Sequence, residues 1–216
     1  MRRFETKNEE KEGEDSKGTA SSDIVSMLSG ALDKPEMRVT GIYGDINEER
    51  CSEALYGLLA LEQTAFSSIE SEDKEVVVVE PIEFYISTYG GQASEMFAVY
   101  DTMRAVRENV PIITHGVGKV MSAGVLLLAA GTKGNRRIGK NCRVMIHGVI
   151  SGQHGHIADV ENEFSEAKMT QKLYVGALAE ETNMSERDIR KMINKKTNVY
   201  IDAERAVELG IADIIF

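Results

Sequence analysis

A chain of 216 residues that is 42% hydrophobic and 28% charged has the makeup of a globular protein with a sizeable core. Its formal net charge of −10 is the wrong sign for a phosphate backbone, and no apolar run approaches the roughly 20 residues that cross a bilayer, so neither nucleic acid nor membrane is an expected partner. Cys51 and Cys142 are too few for a disulfide framework or a zinc site, and there is no CxxC, HExxH or phosphate-binding glycine loop, so no metal and no cofactor is expected. The opening MRRFETKNEEKEGED lacks the apolar core of a secretory signal, which predicts a cytoplasmic protein with reduced thiols.

Residues 1–36 are predicted to be a flexible polar tail. Residues 1–20 hold too few apolar side chains to offset the entropy of ordering. Ile24, Met27, Leu28 and Leu32 form only a weak amphipathic pattern, read as a mobile segment. One domain is expected over 37–216. Arg38–Tyr43 reads as a strand and Gly44-Asp45 as a turn. Asn47 to about Gln63 reads as a helix, with Cys51, Ala54, Leu55, Leu58, Leu59 and Glu62 along one face. A polar connection is expected over Thr64–Asp73. Val76–Val79 and Ile82–Ile86 have the composition of strands, and Pro81 sets the first apart as an edge or as the arm of a separate hairpin. Ser87–Gln92 closes the second strand with Gly90-Gly91, a pair that lets backbone approach a ligand closely. A helix follows from Ala93, with Met96, Phe97, Val99, Tyr100, Met103 and Val106 near helical spacing.

The chemistry concentrates between Gly116 and His147. After the apolar run Pro111–Ile113, Gly116–Gly118 is expected to turn. Ser122 then opens a helix that is apolar on every side up to Gly131, and Val144–Ile146 forms a strand ending at His147. A helix apolar all round is buried. A serine in its first turn sits among unpaired N–H groups at the positive end of the helix dipole, which can stabilise an oxyanion beside the hydroxyl. A plain N-cap is the commoner role of such a serine, and a structural one the commoner role of a lone histidine. Lys119 offers an alternative base, in a Ser-Lys dyad. Strands and helices alternate in an α/β pattern with crossover helices. Gly90-Gly91 and Ser122 both fall after carboxyl ends of strands, where ligands bind in open α/β sheets.

His154 and His156 lie on a polar, glycine-rich arm and read as solvated or interface residues, not as metal ligands. Ile157 to about Glu181 reads as one long helix with a sparse apolar stripe (Ile157, Val160, Phe164, Ala167, Leu173, Leu178), expected to project from the core or to pack on another chain. Ser185–Asp188 resembles a capping box for a helix Glu186–Lys195. Thr197–Ile201 is an extended link, and Asp202 caps a last helix, Ala203–Leu209, stopped by Gly210.

These stretches, taken together, resemble the ClpP family, the serine peptidase subunits of the Clp protease. The likeness runs from about Arg38 to Phe216. The family's YINSPGGS motif stands here as Tyr85-Ile86-Ser87-Thr88-Tyr89-Gly90-Gly91-Gln92, and its SMGAVLLAAG motif as Ser122–Gly131. RVMIH is unchanged at Arg143–His147, Gly152–Asp159 resembles the arm before the family's long handle helix, and Glu204–Asp213 resembles its C-terminal motif. The resemblance implies a ClpP/crotonase-like spiral of βαβ units with a protruding handle helix. It implies Ser122 as nucleophile, His147 as general base, and Asn198 at the position of the family's aspartate. It also implies an oxyanion hole from the N–H groups of Gly91 and Ala123, with Gly90 helping the turn approach the substrate. It implies stacked seven-membered rings joined through Ile157–Glu181, unfolded polypeptides as substrates, and a separate AAA+ unfoldase partner of the ClpX, ClpA or ClpC kind.

The chain departs from the family at informative places. Asn198 can hold an imidazole tautomer through its carbonyl but brings no negative charge. Tyr89 stands for a proline, Ala123 for a methionine, and Gly148-Val149 for a Gln-Pro pair; Thr64–Pro81 is longer than the family's connection. Two other readings follow: a weak or inactive subunit of a mixed ring, and a crotonase-like acyl-CoA enzyme, which shares the core but needs no serine nucleophile.

Overall fold

The computed structural model describes residues 37–71, 74–194 and 197–216; the predicted tail, residues 1–36, lies outside them. The main sheet has seven strands. Its continuous path runs β1 (Val39–Tyr43), β4 (Ile82–Thr88), β5 (Ile112–Met121), β6 (Arg137–Ile138) and β9 (Ile214–Ile215), every neighbouring pair parallel. β5 is long enough to serve two neighbours on one side. Its first half pairs with β6 and its last three residues with β7 (Arg143–Ile146), which carries β8 (Val199–Ile201) antiparallel.

Parallel strands need crossovers, and helices supply them. The first is α1 (Glu48–Gln63), capped by Asn47 Oδ1 accepting from Arg50 N at 3.0 Å; it buries Cys51, Ala54, Leu58 and Leu61. α2 (Ala93–Val106) buries Met96, Val99, Tyr100, Met103 and Val106. All seven residues of α3 (Ala123–Ala129) are buried, as its uniformly apolar sequence requires. α4 (Ile157–Glu181) has the predicted bounds. α5 (Glu186–Ile193) stops short of Lys195; its cap is the predicted Ser185, whose Oγ accepts from Asp188 N at 3.2 Å. α6 (Ala203–Glu208) is capped by Asp202 as expected, and Gly210 beyond it takes φ 72°.

Two expectations are corrected. Gly116–Gly118 does not turn but lies within β5, because Gly116 leaves room for Leu128 and Val120 to pack over the strand, and a register shift against β4 between Ile86 and Thr88 absorbs the extra residues. The connection expected over Thr64–Asp73 contains a strand, β2 (Phe66–Ser71), which pairs antiparallel with β3 (Lys74–Val79) as a separate two-stranded sheet. The stripe on α4 stands free of the core along most of its length, as expected of a helix that projects or packs on another chain. Ile157, Phe164 and Leu173 are exposed, and burial is confined to Tyr174, Val175, Leu178 and Glu181 near the C-terminal end.

That end is pinned by charge as well as by packing. Glu181, 2% exposed, accepts from both terminal nitrogens of Arg107 at 2.7 and 2.9 Å and from the Tyr100 hydroxyl at 3.1 Å. Burial, then the Glu181 charge, pushes the Tyr100 phenol up to about 12. Among the described residues no helix is long and apolar enough to cross a membrane.

Candidate active site

Ser122 is the junction between β5 and α3. It is the one non-glycine residue with positive φ among those described, at φ 54° and ψ −121°. Such a conformation costs about 1–3 kcal/mol and persists only where its surroundings enforce it. They do so here through both backbone groups. Ser122 N donates to Met145 O on β7 at 2.8 Å, while Ser122 O accepts from Val125 N at 3.1 Å and from the Tyr174 hydroxyl on α4 at 3.2 Å. The side chain makes no capping hydrogen bond, so the plain N-cap role is not the one adopted. Among the described residues the hydroxyl has no hydrogen-bond partner, at the positive end of a buried helix.

The Gly90-Gly91 turn is pressed against this serine. Gly90, at φ 107°, lies so close that a Cβ there would stand 2.6 Å from Ser122 Cβ and 3.1 Å from its Oγ. The turn is held from below by the buried Thr88, whose Oγ1 accepts from Gly90 N at 2.9 Å. It is held from the side by Ile46, which donates to Gly90 O and accepts from Gln92 N, both at 2.9 Å. These bonds leave the Gly91 N–H without an acceptor, and the Ala123 N–H, first of α3, has none either among the described residues. Among the described residues, the serine's own neighbour and the adjoining glycine turn thus each hold an N–H group with no acceptor, the kind of donor an oxyanion hole draws on.

His147 follows directly on β7, the strand to which Ser122 N is tied. Both residues line one cleft of about 690 Å³, with Gly90, Gly91, Ala123 and Tyr174 among its walls. The β7–β8 ladder ends at Ile146 opposite Val199, so Asn198 comes opposite His147 one step further on. The three side chains are not joined. His147 Nδ1 bonds to Gly148 O at 2.5 Å, and Asn198 is exposed, without a hydrogen bond among the described residues.

Other nucleophiles and bases fall away on the same grounds. Lys119 Nζ sits over the rings of Tyr89 and Tyr43, 4.6 and 5.7 Å from their centroids, and makes no hydrogen bond to Ser122. Cys142 and Cys51 are buried; burial pushes both thiols up to about 11, with the Glu95 charge adding at Cys51, so neither is a ready thiolate. His154 and His156 are exposed, and His115 is spent on Glu83 and on stacking with Tyr85. Among the described residues no cluster of three or more His, Cys, Asp or Glu could hold a metal.

Sequence reasoning missed Tyr174 and Gln171. Gln171 Oε1 accepts from Val149 N at 3.1 Å, just beyond His147, so two residues of α4 brace the two sides of the cleft. Their spacing of three on a helix puts them on one face, but both are polar and fall outside an apolar stripe.

A family model described as Clp protease matches residues 25–216. The chain is 36% identical over 136 residues to the ATP-dependent Clp protease proteolytic subunit 1 of Corynebacterium glutamicum, covering 62% of this chain and 64% of that protein. It is 37% identical over 136 residues to the ATP-dependent Clp protease proteolytic subunit 2 of Corynebacterium jeikeium, covering 62% and 63%. The aligned part thus spans a little under two thirds of the length of these relatives. The mostly parallel sheet, the long helix over Ile157–Glu181 and a family match that takes in nearly the whole chain agree: this chain belongs to the Clp protease family.

Proposed function

We propose that the chain is a serine endopeptidase that hydrolyses peptide bonds of unfolded polypeptides through an acyl-enzyme on Ser122. One observation carries the reading. Among the described residues Ser122 is held in a strained turn with its hydroxyl unbonded, next to a residue and against a glycine turn whose N–H groups also lack acceptors, in a cleft shared with a histidine. A capping serine would have no need of any of these.

In this reading His147 Nε2 takes the Ser122 proton as Oγ attacks the carbonyl carbon. The negative oxygen is received by the N–H groups of Gly91 and Ala123. His147 then protonates the departing amine, and water repeats the sequence on the ester. Tyr174 and the Met145 carbonyl hold the Ser122 backbone while this occurs. A helix exposed over most of its length supports packing against another copy, and membership of the Clp protease family supports stacked rings that enclose the sites and an ATP-dependent unfoldase that feeds them.

The test is turnover of a short fluorogenic peptide by the assembled protein, beside Ser122→Ala. The variant is expected to lose about 10⁶ in kcat, the usual loss for a triad serine. Absence of turnover in the wild type, with no labelling by a serine-reactive phosphonate, would replace this reading by that of a non-catalytic ring subunit.

A further inference from the structure

The peptide unit joining Gly148 to Val149 is held at both ends. Its carbonyl oxygen accepts from His147 Nδ1 at 2.5 Å, and its N–H donates to Gln171 Oε1 at 3.1 Å. A Cβ on Gly148 would come 3.0 Å from that same Oε1, so the amide of Gln171 is seated directly against the turn. A carbonyl can only accept. The bond therefore places the proton of neutral His147 on Nδ1 and leaves the Nε2 lone pair free, the tautomer that a base for a serine requires.

We infer that the Gly148 carbonyl, its peptide plane set by Gln171, is the group that orients His147, in the place that Asn198 would otherwise fill; the inference rests on the peptidase reading of Ser122 and His147. Asn198 lies one step beyond the end of the ladder, on the side facing His147's strand, yet its side chain is exposed and unbonded among the described residues. An exposed amide can turn either its oxygen or its NH₂ toward the ring, whereas a main-chain carbonyl fixed at its neighbouring N–H has one orientation. Two residues of this chain make the arrangement available. Val149 has the N–H that a proline lacks, and Gly148 has no side chain to push Gln171 away. Gln171 is thus a positioning residue: it acts on the chemistry through one peptide plane and makes no hydrogen bond to Ser122 or to the ring among the described residues.

The experiment reads the His147 tautomer by ¹⁵N NMR of histidine-labelled, assembled protein, and peptide turnover on the same samples. In Asn198→Ala the Nδ1–H form is expected to persist. In Gln171→Met the tautomers are expected to mix, and kcat to fall by about 10²-fold with KM unchanged, a part of the loss that a wrong tautomer causes. Gln171→Glu keeps an oxygen acceptor for Val149 N–H and is expected to restore the Nδ1–H form and most of kcat. Loss of that form in Asn198→Ala, or its retention together with wild-type or raised kcat in Gln171→Met, overturns the inference. Should Gln171→Met not assemble, Asn198→Ala decides the matter alone. The NMR reading needs no turnover, so an inactive wild type would count against the peptidase and not against the tautomer assignment.

Discussion

Gly90→Ala is expected to slow acylation of Ser122 by about 10²–10³-fold, the range found when one oxyanion donor is lost. The added methyl has no room. It would come 2.6 Å from Ser122 Cβ and 3.1 Å from both Ser122 Oγ and Met121 O, at a φ of 107° that suits glycine alone. Neither neighbour can retreat cheaply, since Ser122 is tied to Met145, Val125 and Tyr174 and the turn to Ile46 and Thr88. The turn must therefore lift, and Gly91 N–H moves with it. The damage should be local: the sheet and α3 do not depend on the turn, so assembly is expected to survive. The rate of phosphonate labelling against wild type, with sedimentation as the control, measures it. Labelling at the wild-type rate would mean that the turn plays no part in presenting donors to Ser122.

Arg136→Met should have the largest effect on stability, a loss of about 3–5 kcal/mol, as for a buried pair broken on one side. Arg136 is 4% exposed and binds four separate pieces of the chain. Its Nη1 donates to Glu181 O and Gly210 O, both at 2.7 Å, and more weakly to Ala129 O, which ties together the ends of α4, α6 and α3. Nε and Nη2 clasp the Asp213 carboxylate at 2.8 and 2.5 Å. Methionine fills the volume but leaves the carbonyls unpaired and the Asp213 carboxylate without its guanidinium, with only the backbone N–H groups of Gly134 and residue 136 still donating to it. Burial by itself would raise the Asp213 carboxyl; the hydrogen bonds from Arg136 and Gly134 and the Arg136 charge outweigh it and hold the group below the usual carboxylate range. The contribution of this pair is thus complete above the unfolded carboxyl value of about 4, and is lost as pH falls through the lower folded value. Urea unfolding at fixed protein concentration, from about pH 7 to about pH 3, should show that acid-side loss in wild type and a smaller one in the variant. Equal midpoints at neutral pH would contradict the assignment.

Much of this was legible in the residues because the signals were local. A serine between a strand and an all-apolar run can only stand at a buried junction, and the capping side chains of Ser185 and Asp202 announce helices within three residues of themselves. What stayed hidden was long-range. Gly116–Gly118 reads as a turn until Leu128, from a later helix, is seen packing over it. The apolar stripe of α4 correctly predicts a helix standing off the core, but it does not mark the residues that serve the cleft, Gln171 and Tyr174, which act through their oxygen atoms. Nothing in the spacing of Val149 and Gln171, 22 positions apart, says that they bond.

The β2–β3 hairpin bears on the behaviour of the protein in solution. A two-stranded sheet has an open edge on each side, and this one carries four consecutive valines, Val76–Val79, with Val77 63% exposed and Phe66 beside Val79 47% exposed. Such a segment is a template for pairing between chains. The sequence answers with acid: Glu70, Glu72, Asp73, Glu75 and Glu80 flank the valine run along the chain, in a protein already at −10. Charges that flank an unavoidable apolar strand act as gatekeepers, and they act over a Debye length that salt shortens. Colloidal stability is therefore written into the acidic residues around one hairpin, and high ionic strength is the condition that unmasks it.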